Sequence, residues 1–213
     1  MKTEGLEQEV SEAVEAIRRG TPVIYPTETL YALGVNILRP DWVERIVRLK
    51  GRPEGKPVPV LIGALEQLAL VTEHQNPAVN RLIRDFWPGP LSILVPARAG
   101  LSPLLQDDQG SIAVRWTSHP TAQGLAVRSG APLTATSANV SGRPAASRPE
   151  ELDPQLLAAM RPQGVGMILR QPPYPAGGLP STVVQVLSDN TLKIFRTGAI
   201  SQDMLAQNGW SIG

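Results

Sequence analysis

Apolar residues recur along this chain at two periods. Val10, Val14 and Ile17 fall at helical spacing, so residues 6–19 are predicted to form an amphipathic helix, with Gly20 placed to close its C-terminus. A short apolar run, Pro22 to Tyr25, predicts a strand. Trp42, Ile46 and Leu49 share one side of a second helix, opened by an Asp41/Glu44 capping pair and ended near Gly51. Val58 to Ile62 is bounded by Pro57 and Gly63 and reads as a buried strand. Asn76 followed by Pro77 introduces a helix that runs to about Phe86, where Pro88-Gly89-Pro90 stops it. Further strands are predicted at Leu91 to Val95, Ile112 to Trp116, Pro132 to Thr136 and Val165 to Leu169. Helices are expected after Pro120 and around Glu150 to Met160. Thr182 to Leu187 and Thr191 to Phe195 flank Asp189-Asn190 as an antiparallel hairpin, and a short helix capped by Ser201 follows.

Strands and helices alternate early and a hairpin comes late. That order predicts an α/β protein with a twisted, mixed parallel and antiparallel sheet and flanking helices. With no internal repeat and no linker, one domain over residues 1–213 is expected, its core at about 9–201. A hydrophobic content of 42% can support that core, and the 21 prolines and 19 glycines should sit in loops. Twenty basic against nineteen acidic side chains leave +1, so any attraction for phosphate must be local. The absence of cysteine excludes disulfides, thiolate catalysis and Cys-ligated metal. The first twenty residues are charged throughout, unlike a signal peptide, and no run reaches membrane-spanning length, so the cytoplasm is the expected compartment.

The common catalytic motifs are absent. Gly51 to Lys56 is one residue short of a P-loop, and Pro57 replaces the hydroxyl that would meet magnesium. Ser137 and Ser141 lack a nucleophile elbow, and the two histidines, His74 and His119, read as surface or capping groups. Four polar loops remain. Pro26 to Tyr31 could address a small ligand, although an ordinary strand-to-helix cap is the plainer reading. Lys50 to Lys56 places three cations within seven residues, as a polyphosphate cradle or a solvated loop would. Arg115 ends an apolar strand, where it needs an anionic partner, either an internal carboxylate or a ligand. Thr134 to Gly142 follows a strand with hydroxyls and an amide, suited to a nucleotide at a strand's carboxyl end or to a plain turn.

Taken together and in order, PTETLYALG, KGRPEGKP, WPGPLSILV, IAVRWTSHP, TATSANVSG, STVV and FRTGAI resemble the YrdC-like threonylcarbamoyl-AMP synthase family, over about residues 9 to 201. The combination of Lys50-x-Arg52 with Ser137-x-Asn139 carries most of the specificity. The resemblance implies a YrdC/RibB-like fold, in the short single-domain form. It also implies a nucleotidyltransferase that condenses L-threonine, bicarbonate and ATP to threonylcarbamoyl-AMP and pyrophosphate, with Mg2+ accompanying ATP. The product would be taken by tRNA threonylcarbamoyl-transferase proteins to modify adenosine beside the anticodon. By the same resemblance Lys50 and Arg52 are the catalytic, phosphate-contacting pair. Lys56, Ser111, Ser137, Asn139 and Arg196 join them around ATP, and Thr29, Arg115, Ala135 and Ser181 hold L-threonine. This chain has Glu28 where many relatives have Asp, Ala32 where they have Gly, and Leu61 where a His often serves the threonine side. The alternative is a YrdC-like paralogue that binds double-stranded RNA or tRNA without synthase activity. A domain of the hydrogenase-maturation type is disfavoured, because such domains sit in far longer chains.

Overall fold

Val23, Ile24, Tyr25 and Pro26 form β1 (Val23–Pro26), and all four are buried. In the computed structural model, which describes residues 2–73, 76–161 and 167–213, β1 lies inside a four-stranded sheet. It pairs antiparallel with β2 (Tyr31–Gly34) and parallel with β8 (Met167–Ile168), while β7 (Thr136–Ser137) joins the far edge of β2. A second sheet has seven strands in the order β11 (Ser211–Ile212), β10 (Thr191–Arg196), β9 (Thr182–Ser188), β4 (Leu91–Pro96), β5 (Ser111–Trp116), β3 (Val60–Ile62), β6 (Leu133–Thr134). It is mixed: β4 runs parallel to β9 and antiparallel to β5, and β3 parallel to β5 and antiparallel to β6. The mixed sheet expected from the hydrophobic pattern is therefore present, divided into two hydrogen-bonded sheets.

Thr134 stitches the sheets together. Its hydroxyl donates to the Leu33 carbonyl at 3.1 Å and accepts the Val35 N–H at 3.1 Å, and its carbonyl accepts the Tyr25 hydroxyl at 2.8 Å. Helices fill the layers. α1 (Lys2–Arg18) and α4 (Pro120–Ser129) bury Ala13, Ile17 and Leu125 against Val23, Tyr25, Leu61 and Leu133. α2 (Pro40–Lys50) and α5 (Pro154–Met160) bury Ile46 and Leu156 against Ile24 and Leu33. Alternate residues of β1 thus feed opposite cores, which is why this strand reads as an unbroken apolar run. The largest cluster joins α3 (Pro77–Phe86) and α6 (Gln202–Gln207) to the seven-stranded sheet through Leu82, Ile93, Val114, Val184 and Leu205. Among the described residues, no helix is long and apolar enough to cross a membrane.

Two predicted caps are in place: Asn76 accepts the Ala78 N–H at 2.9 Å and Ser201 accepts the Met204 N–H at 3.2 Å. Other expectations are corrected. Asp41 does not cap α2; Arg39 occupies the cap position without a side-chain bond, Pro40 starts the helix, and Asp41 pairs with Arg39 at 3.5 Å. The strand expected over Pro132–Thr136 breaks at Ala135 into β6 and β7, which belong to different sheets. The helix expected from Glu150 divides, because Asp153 accepts the Gln155 N–H at 2.9 Å and Pro154 restarts the helix as α5. Thr27 to Leu30, read as a strand-to-helix cap, is the turn of the β1–β2 hairpin. His74 and residues 165–166 of the strand expected at Val165–Leu169 lie outside the described residues.

Candidate functional site

The segment after β1, the end of β5, the β6-to-β7 crossing, the approach to β9 and the end of β10 enclose a cavity of about 400 Å³. Carboxyl ends of strands are where open α/β sheets expose unpaired backbone and accept ligands. Thr27 shapes one wall by donating its hydroxyl to the Leu30 carbonyl at 2.7 Å, with Thr29 Oγ1 3.2 Å from Thr27 Oγ1. Arg115, at the end of β5, sends Nη1 to Thr29 Oγ1 at 3.3 Å and pairs through the same nitrogen with Glu28 at 2.7 Å. Both partners of this ion pair are deeply buried, the arginine side chain 6% and the glutamate 12% exposed. The Thr117 hydroxyl donates to the second Glu28 oxygen. The internal carboxylate foreseen as one possible partner of Arg115 is therefore Glu28.

A second wall comes from the last hairpin. Arg196 ends β10 and donates to Ser181 twice, Nε to its carbonyl and Nη2 to its hydroxyl, both at 3.0 Å. Ser181 Oγ in turn lies 3.1 Å from Ser92 Oγ on β4. The chain can return this closely only because residue 198 is glycine: a Cβ there would fall 2.1 Å from the Pro180 carbonyl oxygen.

The third wall follows α2. Gly51 takes the left-handed conformation (φ 54°) that ends the helix and turns the chain. Arg52 then donates Nε to the Lys56 carbonyl at 2.8 Å, Nη2 to the Pro57 carbonyl at 2.6 Å and Nη1 to Thr136 Oγ1 at 3.2 Å. All three acceptors are uncharged. Among the described residues, Arg52, Lys56 and Arg196 make no ion pair with a carboxylate, and no aspartate or glutamate lines the cavity. Burial holds the Arg52 guanidinium below its ordinary pKa and nearby Arg196 adds to this; burial and then Arg115 act in the same way on Arg196. A row of partly desolvated like charges is relieved by a bound polyanion.

The cavity brings together Thr29, Arg52, Lys56, Arg115, Ala135, Ser137, Ser181 and Arg196, all anticipated from sequence. Three other anticipated residues do not line it. Lys50 is 1% exposed, and its ammonium is spent on the carbonyls of Ser137 and Asn139. Burial, then Arg52, pushes its pKa down to about 8. Asn139 is buried and turns its amide onto the carbonyls of Val140 and Arg143, at 2.9 and 2.6 Å. Ser111 opens β5, four residues and roughly 13 Å before Arg115, with its N–H bound to Asp107 Oδ1. Leu61, at the position where a His was considered, is fully buried in the apolar cluster with Tyr25 and Leu133 and does not line the cavity. Thr27 and Thr136 line it from two of the polar loops without having been named individually, and Ser92 lines it from outside all four. The available signal was a hydroxyl at a buried strand position, as at Ser92 within Leu91–Val95.

Short hydroxyls beside one neutralised and three uncompensated cations, at strand carboxyl ends, define a small-molecule site for a ligand rich in negative charge. The family model for Sua5/YciO/YrdC, described as telomere recombination, matches residues 15–198, and the chain belongs to this family. It is 31% identical over 202 residues to the threonylcarbamoyl-AMP synthase of Bacillus subtilis (strain 168), covering 92% of this chain and 55% of the relative. Over the first three curated relatives it matches, the chain spans about half of their length or less, 55%, 38% and 50%. Its structure is similar to that of P. abyssi Sua5 complexed with L-threonine (TM-score 0.81, 27% identity, 96% of this chain and 58% of the other). It is also similar to E. coli YciO (TM-score 0.72, 28% identity, 89% of each chain). The resemblance read from the motifs is borne out.

Proposed function

We propose that this protein is an L-threonylcarbamoyl-adenylate synthase, condensing L-threonine, bicarbonate and ATP to threonylcarbamoyl-AMP and pyrophosphate. The observation that carries the reading is the set of cations without carboxylate partners, Arg52, Lys56 and Arg196, next to Arg115 in a chain of this family. Curated relatives bearing the synthase name, and a threonine complex of a similar fold, support it.

The threonine amine adds to bicarbonate carbon with loss of water to give a carbamate. A carbamate oxygen then attacks the α-phosphorus, and pyrophosphate departs. Such a transfer is driven by alignment and charge neutralisation, without a protein nucleophile. Arg115 commits Nη1 to Glu28 and Thr29, and a guanidinium has further N–H donors in a planar fork for the substrate carboxylate. The hydroxyls of Thr29 and Ser181 flank that carboxylate site. Arg52, Lys56 and Arg196 take the phosphates and offset the charge that develops on the leaving pyrophosphate. In this reading Mg2+ enters on the ATP phosphates as part of the substrate; among the described residues no group of three or more His, Asp or Glu side chains could hold a metal ion. In this reading the enzyme works in the cytoplasm, and its product passes to tRNA threonylcarbamoyl-transferase proteins.

Purified protein given ATP, Mg2+ and bicarbonate should release pyrophosphate only when L-threonine is added, with a threonine-containing adenylate formed in equal amount. Release that ignores threonine overturns the reading. Salt-dependent tRNA binding without any ATP binding would replace it by the RNA-binding paralogue.

A further inference from the structure

Val43, Ile46 and Leu49, the other buried positions of α2, are apolar; Lys50, which ends the helix, is as buried as they are. Its ammonium donates to the Ser137 and Asn139 carbonyls, and its own carbonyl accepts the Ser141 N–H at 2.9 Å. Three bonds thus tie one residue to a single five-residue turn. On the other side of that turn, Asp153, the cap of α5, accepts the Val140 N–H at 2.9 Å. Carbonyl dipoles that converge repel one another, and only a cation or a shared donor can hold them together. An apolar side chain of the same length would avoid the desolvation cost of a buried ammonium but could not draw two carbonyls to one point. The reverse side of this arrangement is the ligand cavity: Thr136 and Ser137 line it, and Arg52, two residues beyond Lys50, donates to Thr136.

We propose that Lys50 is a positioning residue. Its ammonium gathers the Ser137 and Asn139 carbonyls and so sets the cavity face of Thr136 and Ser137, without itself touching the nucleotide. The kinetic part of the proposal rests on the synthase reading; the structural part does not. The charges facing the ammonium are Arg52 and Lys56 from the following loop, which oppose it, and Asp153 from α5, which favours it. With its pKa at about 8, against 10.5 for a solvated lysine, the group is an ammonium at neutral pH; in alkaline solution the closed turn gives up the proton before an opened one would, and the neutral amine keeps two N–H donors for the same carbonyls.

The chain has no cysteine, so Lys50→Cys can be aminoethylated at that single position while unfolded, then refolded with an ammonium restored. Native-state hydrogen exchange of the Ala138 and Ser141 amides, measured without ligand, is the primary readout. Lys50→Met should exchange at these amides about tenfold or more faster than wild type, and the aminoethylated Lys50→Cys protein should return to wild-type protection. In turnover, the kcat lost in Lys50→Met should return in the aminoethylated Lys50→Cys protein. Unchanged exchange in Lys50→Met, or no recovery on aminoethylation, overturns the proposal. Should Lys50→Met not fold, Lys50→Cys is compared before and after aminoethylation: protection at Ala138 and Ser141 must rise on modification, and equal protection overturns the proposal. A wild-type protein that makes no threonine-dependent adenylate refutes the synthase reading alone, since the exchange result still decides the role of Lys50.

Discussion

The Glu28–Arg115 pair is the point where fold and site bear on each other most directly. Glu28→Gln keeps the side chain's shape but removes the one carboxylate that pairs, among the described residues, with a guanidinium that is 6% exposed. Arg115 and Thr117 approach different Glu28 oxygens, so in the amide one of the two meets an NH2 group instead of an acceptor. Removing one partner of a buried pair costs about 3–5 kcal/mol, because the other charge stays desolvated and unpaired. At roughly 2–4 °C per kcal/mol for a chain of this size, the melting temperature should drop by about 6–20 °C. Differential scanning calorimetry at neutral pH reads this directly. In the proposed synthase reading L-threonine brings a carboxylate to the same guanidinium, so the rise in melting temperature on adding threonine should be larger in Glu28→Gln than in wild type. A drop below about 2 °C would show that Arg115 finds enough water or other acceptors without Glu28, and the charge argument would fail.

Other outcomes follow from the same geometry. Arg52→Ala removes a guanidinium that faces the cavity while its backbone turn at Gly51 remains; ATP affinity measured by calorimetry should fall on the order of 10- to 100-fold with little change in melting temperature, and unaltered affinity would remove Arg52 from the phosphate site. Gly198→Ala puts a methyl group 2.1 Å from the Pro180 carbonyl oxygen, so it should displace Ser181 and Arg196 and abolish threonine-dependent turnover; an active variant would mean the hairpin end is not part of the site. His119 is buried, with Nε2 at 3.0 Å from the Pro173 carbonyl oxygen and no partner for Nδ1 among the described residues. Burial holds its pKa below the ordinary 6.5, so the unfolded chain takes up the proton first: the contribution is complete above pH 6.5 and is lost as pH falls toward the folded value. Melting temperatures between pH 6.5 and 5 should therefore decline more steeply for wild type than for His119→Gln, and parallel curves would contradict this.

What could be read directly from sequence is what short-range chemistry decides. Asn76 with Pro77 starts α3, Ser201 starts α6, Gly51 ends α2, and the Asp189-Asn190 turn joins β9 to β10, because each involves bonds between residues only a few positions apart. The cavity-lining residues were legible for a different reason: Thr29, Arg52, Arg115, Ser137 and Ser181 lie in polar loops or at the ends of apolar runs, and their joint order matched a family. Contacts between distant segments were not legible. Ala135 divides one apolar stretch between two sheets because Thr134 bonds back to Leu33 and Val35, about a hundred positions away in the chain. Ser92 joins the cavity only because β4 lies beside β9 and places it 3.1 Å from Ser181. Lys50 and Arg52 look alike in sequence, two cations of one motif, yet the left-handed turn at Gly51 separates them. Sequence alone determined that cations and hydroxyls gather in a few polar loops between apolar runs. Tertiary structure alone decided which cations face the cavity and which is buried behind its wall, since desolvation and hydrogen-bond partners are set by what packs around each charge.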